Sequence, residues 1–290
     1  MRIHHLNGTT MCPPASGLLL GQEGAHMVCH CLLIETNAGL VLVDTALGLD
    51  DLQAESHRSV RKQLGLLRPK LDPEETMARQ VERLGYRRED VRHIVLTHLD
   101  VDHAGGLADF PRAKVHVYAK EHAAAVVERG LRARIRFKEC QWAHGPDWKL
   151  YEVTQGERWF GFECVRQLEG LPPEILLVPL VGHTLGHCAV AVDRGDTWLL
   201  HAGDAYFFRG EMEEHPHCPA GLRLFQNLIQ ENRKDRLSNQ ERLRELARTQ
   251  AGEVQVFCAH DAEEWRRMAE HAATEGAPTT SSAGSRTARG

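Results

Sequence analysis

Aromatic residues are scarce in this chain, 6% of 290 residues beside 42% apolar and 26% charged content, a composition that still permits a full globular core. No stretch approaches the ~18 uninterrupted apolar residues of a membrane helix. The opening MRIHHLNGTT lacks the charged and then apolar pattern of a secretion signal. No membrane partner and a cytoplasmic location are therefore expected. Excess positive charge is also missing: 35 Lys and Arg stand against 40 Asp and Glu, a net charge of −5, so no overall field attracts phosphate backbones and nucleic acid is excluded as a default partner. The eight cysteines include no CxxC pair, and a chain of this length folds without covalent staples, so reduced, buried thiols are expected. No Gly-x-Ser-x-Gly elbow occurs, which removes the usual support for a serine nucleophile. Internal repeats are absent.

Histidine, by contrast, is abundant, at 18 residues, several of them beside Asp and Gly rather than on amphipathic faces. The runs 28–36 and 40–45 read as paired strands around Asn37-Ala38-Gly39. Asp72-Pro-Glu-Glu reads as a capped helix start, with Glu75 closing a capping box, Met77, Val81 and Leu84 forming the apolar face and Gly85 ending it. Further strands are expected at 91–96, 114–118, 175–181, 188–193, 197–202 and 254–259. Helical segments are expected at 121–129, about 220–249 and 261–271. The stretch 130–172 has weak periodicity and three of the five tryptophans (142, 148, 159), and is read as an insert or lid. One domain over 1–271 and a disordered tail over 272–290 follow from this pattern.

The chemistry concentrates where strands end. Thr97-His98-Leu99-Asp100-Val101-Asp102-His103 places four potential ligands within six residues, directly after a buried strand. Gly182-His183-Thr184-Leu185-Gly186-His187, Gly203-Asp204 and Ala259-His260 each add a His or Asp at another strand end, where a rigid framework can converge side chains from distant positions. His30 and His116 lie inside strand runs and are read as structural or exposed.

In order and spacing these segments, with Asp44 after the first hairpin, resemble the metallo-β-lactamase superfamily, and the likeness runs to about residue 271. The resemblance implies an α/β fold, a four-layer αββα sandwich. It implies two divalent metal ions, with His98, Asp100 and His183 on one, Asp102, His103 and His260 on the other, and Asp204 bridging. Asp44 and His187 would hold ligands in place through hydrogen bonds. The usual second histidine of the ligand loop is Asp100 here, a harder, anionic donor. Zn²⁺ is the expected metal, with Fe or Mn favoured relatively more than in an all-imidazole site.

Two ions sharing a hydroxide supply a nucleophile at neutral pH and stabilise the developing oxyanion. The expectation is hydrolysis of a carbonyl ester in a small-molecule substrate, first of all a lactone of the acyl-homoserine type, with Asp102 and Asp204 in catalysis and Tyr206 donating to the oxyanion or leaving group. Thioester hydrolysis of the glyoxalase II type, phosphotriester or phosphodiester hydrolysis, and diiron oxidoreduction use similar cores and stand as alternatives. β-Lactam hydrolysis is disfavoured by the missing secretion signal. A homodimer is allowed.

Overall fold

A two-residue hydrophobic period builds the centre of the molecule, whose computed structural model describes residues 1–128, 130–152 and 156–275. Strands β1 (Arg2–Met11), β2 (Met27–Thr36), β3 (Gly39–Val43), β4 (Val91–Val95), β5 (Lys114–Tyr118) and β6 (Asp147–Tyr151) lie side by side in that order. A second sheet contains β7 (Glu157–Trp159), β8 (Phe162–Gln167), β9 (Ile175–Pro179), β10 (Cys188–Asp193), β11 (Trp198–His201) and β12 (Val254–Phe257), ordered β12-β11-β10-β9-β8-β7.

Along β2, Leu32 and Ile34 join a core with Ile175, Leu177, Val190 and Phe257 of the second sheet, whereas Cys29, Cys31 and Leu33 pack with helix residues such as Val60, Met77 and Val81. Along β9, Ile175 and Leu177 meet the first sheet, and Leu176 and Val178 pack with Leu243 and Leu246 of the helix Arg233–Thr249. Alternate residues thus feed different layers, as the strand period requires. The result is the expected αββα sandwich. Each fully buried aliphatic side chain in it contributes roughly 1.5–3 kcal/mol of transfer free energy.

Several local expectations shift. Residues 73–75 form a short 3₁₀ turn in which Asp72 accepts from the Glu74 amide, and the α-helix begins only at Met77, capped by Thr76. Glu75 closes no capping box, because its carboxylate instead takes the Thr10 amide at 2.6 Å and the Thr10 hydroxyl at 3.0 Å. The segment 220–249 divides into Ala220–Ile229 and Arg233–Thr249. β1 is a strand beyond the expected set, because Asn7-Gly8-Thr9 interrupts its alternation. There the register shifts against β2, and the Asn7 side-chain carbonyl accepts the Thr9 and Cys29 amides. The closing helix runs Ala262–Glu275, past the expected tail boundary at 272, and residues 276–290 lie outside the described residues. Among the described residues no helix is long and apolar enough to cross a membrane.

Candidate metal centre

The loops after β3, β4, β9, β11 and β12 meet at one place, and hydrogen bonds to the backbone aim their imidazoles there. Asp44 follows β3 at φ +57°, a left-handed conformation that Asp tolerates better than most side chains. Its Oδ1 accepts the Thr97 amide at 2.8 Å, and its Oδ2 accepts both the Thr97 hydroxyl at 2.7 Å and His103 Nδ1–H at 2.8 Å. Since the single Thr97 hydroxyl proton goes to Asp44, the 2.9 Å contact between Thr97 Oγ1 and His98 Nδ1 has the histidine as donor. His260 Nδ1–H donates to the Val28 carbonyl at 2.8 Å. In all three rings Nδ1–H is engaged outside the centre, which turns Nε2 toward it.

Asp204 joins two clusters. Its Oδ2 lies 3.7 Å from His98 Nε2 and 3.2 Å from His183 Nε2, with Asp100 Oδ2 at 3.3 Å and 2.9 Å from the same two nitrogens. Its Oδ1 lies 3.3 Å from His103 Nε2 and 3.1 Å from His260 Nε2. Asp102 Oδ2 stands 3.7 Å from His260 Nε2. Within each of the groups His98/Asp100/His183/Asp204 and His103/Asp204/His260, one donor atom per residue lies within 4.8 Å of every other. The structure therefore brings the seven residues expected to hold metal to one place: His98, Asp100, His183 and Asp204 form one group and His103, Asp204 and His260 another, while Asp102 groups with His260 and Cys29 instead of with His103.

Burial alone would push the Asp204 carboxyl upward, but His260, His103 and His183 outweigh it and hold it well below the usual carboxylate range. Burial likewise opposes the charged form of His103, and Asp204 and Asp44 reverse that and raise it well above a free imidazole. Opposite charges a few ångströms apart in a dry site explain both directions. Among the described residues His98 Nε2, His103 Nε2 and Asp204 Oδ1 are buried with no hydrogen-bond partner. Orphaned polar atoms are costly unless something else satisfies them, and imidazole and carboxylate donors at this spacing suit divalent cations.

The Metallo-beta-lactamase superfamily pattern matches residues 25–281. The chain belongs to this superfamily. It is 44% identical over 262 residues to a probable metallo-hydrolase of Mycobacterium tuberculosis, covering 90% of this chain and 80% of that protein. An N-acyl homoserine lactonase of Bacillus thuringiensis is 28% identical over 163 residues, 56% of this chain and 57% of the other. Among solved structures, the B. thuringiensis lactonase with N-decanoyl-L-homoserine bound superimposes with a TM-score of 0.68 at 21% identity, covering 92% of this chain and 95% of that one. A dizinc quorum-quenching lactonase gives a TM-score of 0.59 at 16% identity, covering 89% and 86%. These two likenesses are of fold. The chain is a metal-dependent hydrolase.

Around this superfamily centre, residues not singled out in the sequence hold the loops together. Glu121 is buried and accepts the Leu99 amide on Oε1 and the Gly186 amide on Oε2, both at 3.0 Å, tying the two histidine loops to each other. A Cβ at Gly186 would stand 2.2 Å from the Glu121 amide nitrogen, so that contact requires glycine. Arg136 grips Asp100 with Nε to Oδ1 and Nη2 to Oδ2, both at 2.5 Å. Cys29 Sγ stands 3.9 Å from Asp102 Oδ2 and groups with Asp102 and His260. None belongs to a local motif. A lone Glu, Arg or Cys has no spacing signature, so only proximity in the fold exposes these contacts.

Tyr206 does not reach the cleft. It is fully buried, its hydroxyl donates to the Glu264 carboxylate at 3.1–3.2 Å, and it packs with the outer core of the second sheet. The offset of two residues from Asp204 turns it inward, and a packing role replaces the expected catalytic one. His30 and His116 are buried rather than exposed: His30 Nε2 contacts His5 Nδ1 at 2.8 Å, and His116 Nε2 contacts His93 Nδ1 at the same distance.

The cleft above the centre has a volume of about 570 Å³, and Asp100, Asp102, Asp204 and His260 are among its lining residues. Its aromatic walls are Phe207 and Phe225, with Leu64, Leu67 and Leu228 beside them. Among the described residues of the 130–172 stretch only the helix Leu131–Arg136 contributes, through Arg132, Ile135 and Arg136. Its tryptophans are not part of the wall: Trp142 is buried in the helix-facing core of the first sheet and Trp159 packs against Trp198.

Proposed function

We propose that the chain is a binuclear metal hydrolase that opens a carbonyl ester, most simply a lactone with an apolar acyl substituent. The observation that carries this reading is the pair of donor clusters sharing Asp204 at the base of an apolar cleft. Two divalent ions would supply an activated water at neutral pH and polarise the scissile carbonyl. His98, Asp100 and His183 would hold one ion, Asp102, His103 and His260 the other, and Asp204 would span them.

The protein's own contribution is orientation and dryness. Asp44, Thr97 and the Val28 carbonyl hold three imidazoles in one tautomer, so little reorganisation is needed during reaction. Phe207, Phe225 and Leu228 exclude water and offer contact to a hydrocarbon chain. Zn²⁺ is the favoured ion, because imidazoles are four of the seven donors, with Fe or Mn gaining relatively from the carboxylate of Asp100. The lactonase names of the relatives support the substrate class.

The deciding experiment is a screen of Zn²⁺-loaded protein against acyl-homoserine lactones of increasing chain length, acyl-glutathione thioesters and an aryl phosphotriester. Lactones should be turned over fastest, with kcat/KM rising as the chain lengthens. Faster turnover of the thioester or phosphotriester would replace the proposed substrate.

A further inference from the structure

Arg136 does more than accompany Asp100. Its side chain is only 12% exposed, and all five guanidinium N–H groups find acceptors on this protein. Nε donates to Asp100 Oδ1, Nη1 to the carbonyls of His183 at 3.2 Å and Ile229 at 2.6 Å, and Nη2 to Asp100 Oδ2 and His183 Nε2. The last two contacts, at 2.5 and 2.8 Å, are made to two of the atoms that face His98 and Asp204 in the first cluster. Nη2 thus takes the same lone pairs that a metal ion in that cluster would need.

The second cluster is arranged differently. His103 Nε2 and Asp204 Oδ1 face each other at 3.3 Å, and both histidines there are anchored through Nδ1 to Asp44 or to a main-chain carbonyl. Among the described residues His183 has no such anchor: its Nδ1 is buried without a partner, its Nε2 meets Arg136 Nη2 and Asp100 Oδ2, and its carbonyl is held by Arg136.

We propose that Arg136 is the resident cation of the His98/Asp100/His183 half, so that the two halves of the centre load unequally. The Asp102/His103/His260 half fills first. The other fills only when Nη2 gives up Asp100 and His183, at the cost of two charge-assisted hydrogen bonds and with a second positive charge brought beside the guanidinium. This rests on the binuclear reading of the site but not on the identity of the substrate.

The test is a Zn²⁺ titration of the full-length, chelator-stripped protein against a competing chromophoric chelator, with ions counted by native mass spectrometry. Wild type should show two classes of site separated by about tenfold or more in affinity. Arg136→Ala should tighten the weaker class by a similar factor and leave the tighter class unchanged. Arg136→Lys keeps the charge but not the fork, so it should tighten the weaker class less, and it carries the test if the alanine variant does not fold. Two indistinguishable classes in wild type, or a weaker class that loosens or stays unchanged in the variants, would overturn the proposal. A single ion in both wild type and Arg136→Ala would overturn the binuclear reading and this proposal together. Two unequal classes in a protein that leaves lactones intact would overturn only the substrate.

Discussion

The amide of Asp204 donates to Nε2 of His187 at 2.9 Å, while His187 Nδ1–H donates to the Leu180 carbonyl at the same distance. The ring is therefore held neutral in one tautomer, and burial lowers its basicity further. Gly203 makes the approach possible: at φ +53°, a Cβ there would stand 2.6 Å from His187 Nε2. His187 thus fixes the main chain of the residue that joins the two donor clusters without itself reaching them.

Replacing His187 with leucine should cost about 10–100-fold in kcat/KM or in metal affinity, the usual effect of losing a group that orients a ligand. Thermal melting should show some loss of stability as well, because the Asp204 amide and the Leu180 carbonyl lose their partner. Kinetics beside metal counting check this, and unchanged values for both would show that Asp204 needs no such support.

Asp204→Ala should reduce turnover by about three orders of magnitude or more and lower the number of bound ions, because both clusters lose an oxygen at once. His116→Gln, deep in the first sheet, should leave turnover nearly intact. Steady-state rates on folded variants decide the contrast. Comparable losses in both would show that the centre is misassigned.

Acid should destabilise the protein through its interior histidines. Burial, followed by the charge of His93, lowers His116 to about 3, and burial with His201 lowers His5 to about 3 as well. Each folded-state value lies below that of an unfolded imidazole near 6.5, so the neutral rings stabilise the fold above about pH 6.5 and lose that contribution as pH falls toward 3. Urea midpoints measured across this range should decline with acidification. His116→Gln should make the decline shallower, and an unaltered slope would remove His116 from the account.

Stripping metal should lower thermal stability. At an ion concentration 100-fold above Kd, linkage contributes about 2.7 kcal/mol, or roughly 5–10 °C in Tm for a chain of this size. Asp204 then loses its cation partner, whereas Asp100 keeps Arg136, whose charge outweighs burial and holds that carboxyl well below the usual range. Calorimetry with and without chelator measures the difference, and Arg136→Ala should deepen the loss.

Local features are legible in the sequence: the strand runs, and the His and Asp residues that follow them. Cys188–Asp193 is legible because it is a near-continuous apolar run buried on both faces, and Val91–Val95 because β-branched residues at 91, 94 and 95 lead straight into the ligand loop. His98, Asp102, His183, Asp204 and His260 are legible because dense polar residues at strand ends have few structural uses. The edges and the supports were decided by tertiary structure. β1 contains an Asn-Gly step that weakens its own pattern and forms by pairing with β2. Tyr206 stands two residues from Asp204, yet a turn of the backbone sends it into the core toward Glu264. Arg136 reaches Asp100 across 36 residues and His183 across 47, and Glu121 ties together loops from both sheets. Periodicity and capping act over a few residues, whereas these partners are chosen by distance in the folded chain, where burying a charge requires an opposite charge or a donor beside it.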